Sequence, residues 1–191
     1  MRKLIVTEFV SLDGVMEAPG GEAGYAHSGW VAEFFTDELG AYKEAEQLAA
    51  DVLLLGRITY ESFHGAWPQR EGPFADKINS MRKVVASTTL GRSPWHDTTV
   101  VAHDLRGAVA ALKDEDGGPI LIAGSRSVVQ FLLGEGLVDE VNLQVFPVLL
   151  GSGARLYPDS PDRTTLELLS SRTLGSGVVL QTYQPLEPGS R

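Results

Sequence analysis

The run Val52-Leu-Leu-Leu-Gly56, continued by Arg57-Ile-Thr-Tyr-Glu-Ser-Phe63, constrains this chain more than any other stretch. Four consecutive branched aliphatic residues suit a strand buried on both faces, the condition of a central parallel strand. Gly56 ends the run, and helix-compatible residues resume at Tyr60. A strand that stops at a glycine and turns into a helix leaves backbone N–H groups free at the helix start. Those groups and the helix dipole favour an anion. Arg57 and Thr59 stand in the turn, a guanidinium and a hydroxyl suited to phosphate oxygens. The competing reading is an ordinary strand–turn–helix connection with no ligand, because short motifs recur by chance.

At 191 residues the chain fits one domain, expected over residues 1–184 with a frayed tail from Pro185. It has no cysteine, which excludes a disulfide framework, a thiolate nucleophile and a cysteine-based metal site. The net charge of −9 comes without any basic run, so the electrostatic footprint of a nucleic-acid binder is missing. The amino terminus turns polar at Thr7-Glu8, and no stretch approaches the roughly 20 apolar residues that span a bilayer. A soluble, cytoplasmic protein with no nucleic-acid or membrane partner is the expectation.

Leu4 to Val10 reads as a first strand, closed by a sharp turn at Asp13-Gly14. Glu17 to Ser28, with Pro19, Gly20, Gly21 and Gly24, reads as a mobile surface loop. Apolar positions from Trp30 to Ala50 draw one helical stripe, and Thr36-Asp37-Glu38 marks a restart within it. After the opening stretch, Gly65 to Pro73 reads as a loop. Strands are expected at Lys83–Ser87, Thr98–Ala102 and Pro119–Ala123, with helices around Leu105–Leu112 and Ser127–Leu133. Strands alternating with helices give a parallel sheet covered on both faces. Past Gly136 the pattern changes: Val141 to Phe146 alternates like a half-exposed strand, and Gly175-Ser-Gly177 between two strand-like runs signals a hairpin. The fold class is therefore α/β, a mixed and mostly parallel sheet flanked by helices with an antiparallel C-terminal hairpin.

Three strand ends carry polar turn-formers: Gly56-Arg57-Ile58-Thr59, Ser87-Thr88-Thr89 and Gly124-Ser125-Arg126-Ser127. In parallel sheets, ligands bind at the carboxyl ends of strands. The first and third lead into helix starts and suit dinucleotide phosphates, and the middle one, with Arg92 nearby, suits a 2′-phosphate. No Gly-x-Gly-x-x-Gly follows a strand. His27, His64, His96 and His103 lack metal-ligand spacing, so no metal is expected. Gly124-Ser125-Arg126-Ser127 is not the elbow of a serine hydrolase. Trp30, Trp67 and Trp95 could wall a flat heterocycle, although packing is the commoner fate of tryptophan.

Ser11-Leu-Asp-Gly14, Leu55-Gly-Arg-Ile-Thr-Tyr-Glu61, Ala123-Gly-Ser125, Gly136-Leu-Val-Asp-Glu140 and Phe146-Pro-Val-Leu-Leu-Gly-Ser-Gly153 together resemble the dihydrofolate reductase superfamily. They are most similar to the reductase domain of bifunctional riboflavin-biosynthesis deaminase–reductases and its stand-alone relatives. The resemblance runs from Met1 to about Tyr183. It implies a dihydrofolate-reductase-like fold, NADPH as cofactor, a pterin-like or aminopyrimidine-like substrate, and a homodimer. Position by position, it implies that Gly56, Arg57 and Thr59 meet the cofactor's phosphate and adenosine side. Ser87 and Thr88 would lie near the adenosine 2′-phosphate. Gly124, Ser125, Arg126 and Ser127 would hold the pyrophosphate, Leu12, Asp13 and Gly14 would border the nicotinamide, and Glu140 would face the substrate.

Reduction of a C=N or C=O bond needs a proton donor. The candidates are Asp37, from a helix that also offers Glu33 and Glu38, with Asp13 and Glu140 as alternatives. The plainer reading of each is a solvated surface acid, or for Asp37 a helix-start residue. Two other classes stay open: a non-catalytic NADP(H)-binding or sensing protein, and a structural dimer with an empty cleft.

Overall fold

The computed structural model describes residues 1–157 and 163–186. The expected strand over Val52–Leu55 is β2 (Val52–Gly56), every residue of it buried. Each of Leu53, Leu54 and Leu55, at 0 % exposed, contributes roughly 1.5–3 kcal/mol by leaving water. β2 lies near the middle of an eight-stranded sheet of order β4-β3-β2-β5-β1-β6-β8-β7. The other strands are β1 (Leu4–Ser11), β3 (Arg82–Ala86), β4 (Thr98–Val101), β5 (Ile120–Ala123), β6 (Glu140–Phe146), β7 (Leu166–Thr173) and β8 (Val179–Pro185). β1 to β6 pair in parallel, while β8 pairs antiparallel with both β6 and β7. The mixed sheet with an antiparallel end is thus as the sequence led us to expect.

Among the described residues, five α-helices cover it: α1 (Asp37–Ala49), α2 (Arg57–Ala66), α3 (Pro73–Ser80), α4 (Leu105–Asp114) and α5 (Arg126–Gly134). Right-handed crossovers send helices to one face or the other according to the direction of travel along the sheet. Val109 and Leu112 of α4 and Val128, Val129 and Leu132 of α5 share a core with Leu4, Val6 and Val10 of β1. Tyr60 of α2 and Ile78 of α3 pack on the other face, with Leu53 and Leu55. Leu39 of α1 packs with Phe146 and Trp30. β1 therefore shows Leu4, Val6, Glu8 and Val10 to one layer and Ile5, Thr7 and Phe9 to the other.

Four expectations change. The Trp30–Ala50 stripe is a 3-10 turn at Ala32–Phe34 followed by α1. The Thr36 side chain accepts from the Leu39 N–H and starts α1 there, with Asp37 and Glu38 in its first turn. Pro73 does not close the expected loop but opens α3, since Pro at the first helical position is a start signal. β6 is not half exposed: Asn142 and Gln144 are buried at 6 and 0 % exposure, since α1 lies over their face. Pro185 does not begin a tail but closes β8, and the Leu186 N–H bonds the Thr165 carbonyl; residues 187–191 lie outside the described residues.

Glu17 to Ser28 forms turns without regular structure, and it is anchored. Trp30 Nε1 donates to the Glu17 carbonyl at 2.8 Å, Tyr25 OH to the Ser152 carbonyl at 2.7 Å, and Ala154 N–H to Glu17 Oε2 at 2.6 Å. Trp30 and Trp95 are core residues at 7 and 6 % exposed, and Trp67 packs on Phe63 and Phe74. No helix among the described residues is long and apolar enough to cross a membrane.

Candidate active site

β1, β2, β3 and β5 run in parallel, so their carboxyl ends meet on one edge. The helices leaving β2 and β5 go to opposite faces, which opens a crevice between them. α2 begins at Arg57, immediately after Gly56, so Arg57 and Thr59 belong to its first turn instead of a preceding loop. α5 begins at Arg126, directly after Ser125. Neither helix start is closed by a side-chain cap. Ser125 is excused from capping by another duty. Its Oγ accepts from the Gly56 N–H at 2.5 Å and donates to Thr59 Oγ1 at 2.8 Å.

That knot needs small residues. A Cβ on Gly56 would come 2.9 Å from Ser125 Oγ, and a Cβ on Gly124 would come 2.9 Å from Thr59 Cγ2. Gly124 (φ +81°) and Ser125 (φ +73°) both adopt left-handed backbone, and Ser125 does so at a steric cost a glycine would not bear. Gly56, Thr59, Gly124 and Ser125 therefore form one packed cluster between the starts of α2 and α5. Arg126 and Ser127 are exposed in the first turn of α5. Arg57 is engaged: its Nη1 lies 2.9 Å from Glu61 Oε2, in a pair with side chains 42 and 50 % exposed. An exposed pair of this kind is weak and easily exchanged.

Ser87 and Thr88 follow β3 and line a cleft with Ala86, Val101, His103 and Asp104 from the end of β4 and the start of α4. Ser87 Oγ accepts from the Thr89 and Leu90 N–H groups, which fixes this turn. Arg92 is exposed and is not among the residues that line the cleft. His103 is, although its solitary position in the sequence gave no reason to place it there.

The three candidate acids separate. Asp13 is bound into the fold: its carboxylate accepts from Ser11 Oγ at 2.6 Å, from Leu150 N–H at 3.1 Å and from Gly151 N–H at 2.8 Å. The Ser11 hydroxyl first, then the two backbone N–H groups, hold its pKa down at about 2. Asp13 is a carboxylate that ties the β1 turn to the segment after β6. Leu12 beside it is 65 % exposed, and Gly14 (φ +81°) makes the turn. Asp37 is exposed at the first position of α1. Glu140 is at the amino end of β6, opposite Ile5, and bonds Lys3 Nζ at 3.2 Å. It therefore lies toward the other edge of the sheet from the crevice.

A fourth acid was overlooked. Glu8 in β1 is 4 % exposed, and its Oε1 accepts from the Gly124 N–H at 3.0 Å. Burial pushes its pKa up to about 8, against the lowering influence of Lys43 and the Gly124 N–H. Its sequence signal is a charged residue at a strand position that alternation turns toward the core, within the Thr7-Glu8 break in the apolar run.

The sequence profile of the RibD C-terminal domain matches residues 2–180. The uncharacterized protein YwjB of Bacillus subtilis is 31% identical over 179 residues, which cover 94% of this chain and 96% of YwjB. A putative riboflavin biosynthesis protein from Shewanella sp. PV-4 superposes with a TM-score of 0.69 at 22% identity, over 97% of this chain and 99% of that one. Dihydrofolate reductase from Enterococcus faecalis, solved in complex with NADP(H), superposes with a TM-score of 0.64 at 16% identity, over 97% of each chain. The fold is dihydrofolate-reductase-like, and the chain belongs to the RibD C-terminal domain family.

Proposed function

We propose that this protein is an NADPH-dependent reductase acting on a small pterin-like or aminopyrimidine-like heterocycle. The observation that carries the reading is the joining of two uncapped helix starts through Gly56, Thr59 and Ser125. Gly56 and Gly124 let the Ser125 and Thr59 side chains pack against the backbone and hold the two helix starts together, an arrangement that suits the pyrophosphate of a dinucleotide. Arg57, Arg126 and Ser127 stand at its rim. The cleft lined by Ser87, Thr88 and His103 lies at the next strands along the edge and suits the adenosine end. NADPH, when bound, would supply a hydride. Leu12 and Gly14 would border its nicotinamide end, and Asp13 would hold that turn in place.

A specific observation keeps non-catalytic NADP(H) binding as the second reading. Asp13 is locked as a carboxylate, Asp37 is a solvated helix-start residue, and Glu140 lies toward the opposite edge. The two readings part on turnover. Oxidation of NADPH in the presence of pterins or aminopyrimidines, followed at the cofactor's near-ultraviolet absorbance, supports the reductase. Saturable binding with no acceptor able to oxidise the cofactor supports the sensor.

The assembly we propose is a homodimer through the antiparallel end. β7 is an edge strand exposed over Glu167–Thr173, and it carries Leu168 and Leu169 at 53 and 49 % exposure beside a register shift between Leu168 and Ser170. Sedimentation at micromolar concentration that returns only monomer contradicts it. A cytoplasmic location fits the lack of cysteine.

A further inference from the structure

The turn that closes β5 is held from both sides. β5 lies between β2 and β1 in the sheet. On the β2 side, Ser125 Oγ accepts from the Gly56 N–H, and Thr59 Cγ2 stands 2.9 Å from where a Gly124 Cβ would be. On the β1 side, Glu8 Oε1 accepts from the Gly124 N–H at 3.0 Å. That N–H belongs to the peptide that leads from Ala123 into two left-handed residues, Gly124 and Ser125, after which α5 begins. The Glu8 carboxyl thus fixes the plane of the peptide that enters the α5 start.

An acid is an unusual choice for that duty. Glu8 is 4 % exposed, and among the described residues the Gly124 N–H is its one hydrogen-bond donor. A buried carboxylate ion needs several donors or a bonded cation, and without them it keeps its proton. Lys43 is the cation that most offsets the burial of Glu8, but Thr7 and Glu46 hold its ammonium, and Thr7 faces the opposite layer of the sheet. The other groups around Glu8 add no positive charge beside it. Glu46 opposes ionisation, and Leu143, its partner in β6, is apolar. Burial first, then Glu8 and Tyr183, raises the Tyr157 hydroxyl to about 12, so Tyr157 stays neutral. Arg126 at the start of α5 is exposed to solvent. Oε1 faces the Gly124 N–H, which leaves Oε2 to carry the proton.

We infer that Glu8 is a positioning residue for the cofactor's pyrophosphate, acting through the Gly124 peptide, and that cofactor binding is coupled to its protonation. This rests on the cofactor site described under Proposed function. Neutral, the carboxyl orients the peptide and puts no charge behind the α5 start. Ionised, it sets a buried negative charge next to the turn where the phosphates arrive as anions, and repulsion in so dry a place is strong. The phosphates therefore bind the protonated form better, and by reciprocity a bound cofactor tightens the hold of Glu8 on its proton. Glutamine would orient the peptide equally well; only an acid adds the coupling. Cofactor affinity is therefore greatest where Glu8 is protonated and falls as the pH rises through its titration near 8.

The test is a calorimetric titration of the full chain with NADPH at pH 8 in HEPES and in Tris, whose different ionisation enthalpies reveal protons taken up on binding. The 2′-phosphate is already fully ionised there. The expected result is an uptake of about 0.4 proton per NADPH in the wild type and none in Glu8→Gln, with a wild-type affinity that weakens about fivefold from pH 7 to pH 9 and a flat profile in the variant. No uptake by a wild type that binds NADPH, or equal uptake by the two proteins, overturns the proposal. A purely structural Glu8 would change the affinity of the variant but not its proton count. A wild type that binds no NADPH defeats the cofactor reading itself, and this inference falls with it. Should Glu8→Gln not fold, the carboxyl carbon-13 resonance of Glu8 in the wild type decides: its titration moves to higher pH with saturating NADPH if the coupling exists, and an unmoved titration overturns it.

Discussion

The Gly56 N–H donates to Ser125 Oγ at 2.5 Å, and through that one hydroxyl the end of β2 is tied to the end of β5. The same oxygen reaches Thr59 in the first turn of α2. Ser125→Ala leaves the Gly56 N–H and the Thr59 hydroxyl without this partner. We expect a loss of about 1–3 kcal/mol of stability in urea denaturation and a fall of roughly tenfold in NADPH affinity, from misplacement of both helix starts. Unchanged stability would mean that the tie is incidental.

Arg57 separates binding from folding. Its pair with Glu61 is exposed and spaced i, i+4, worth about 0.3–0.5 kcal/mol. Arg57→Ala should leave the melting temperature within a degree or two and weaken NADPH by several-fold or more, with a shallower salt dependence. Equal NADPH titrations for the two proteins would remove Arg57 from the site.

Glu8 sets a pH dependence. Its folded pKa of about 8 exceeds the unfolded value of 4.5, so the folded state holds the proton more tightly between them. The stabilisation is complete below about pH 4.5 and is lost as the pH rises through 8, with a local slope on the order of 1 kcal/mol per pH unit. Glu8→Gln keeps an oxygen for the Gly124 N–H and has no proton to lose. Denaturation midpoints measured from pH 5 to 8 should fall for the wild type and run flatter for the variant; parallel curves would contradict the assignment.

Asp13 tests whether an acid at the β1 turn is chemical or architectural. Its pKa of about 2 lies below the unfolded value of 3.8, so its contribution is present above pH 4 and lost as the pH falls through 2. Asp13→Asn should cost about 1–3 kcal/mol near neutrality, through weaker bonds to Ser11, Leu150 and Gly151. It should leave the shape of any pH–rate profile above pH 5 unchanged. Disappearance of a limb of that profile would restore Asp13 as the proton donor.

The parallel core was legible because burial on both faces writes itself as runs such as Val52–Leu55 and Ile120–Ala123, and because Gly56 and Gly124 mark where those runs end. The rest was hidden for identifiable reasons. α3 starts on a proline, which reads equally as loop punctuation. β6 alternates like a surface strand, yet its polar positions face α1, and only the packing of that helix decides their burial. Glu8 interrupts an apolar strand, and a buried neutral acid looks the same in sequence as a solvated one. Glu140 belongs to a recognisable motif, but its position toward the amino edge follows from strand direction and register, which no short motif encodes.

Titration of wild type and Gly124→Ala with NADPH and NADH, read by calorimetry, tests the cofactor site most directly. Gly124 sits at φ +81°, and an added Cβ would approach Thr59 Cγ2 to 2.9 Å. The account predicts saturable NADPH binding that exceeds NADH in the wild type and is weakened at least tenfold in a folded Gly124→Ala. A folded wild type that binds neither nucleotide would contradict it.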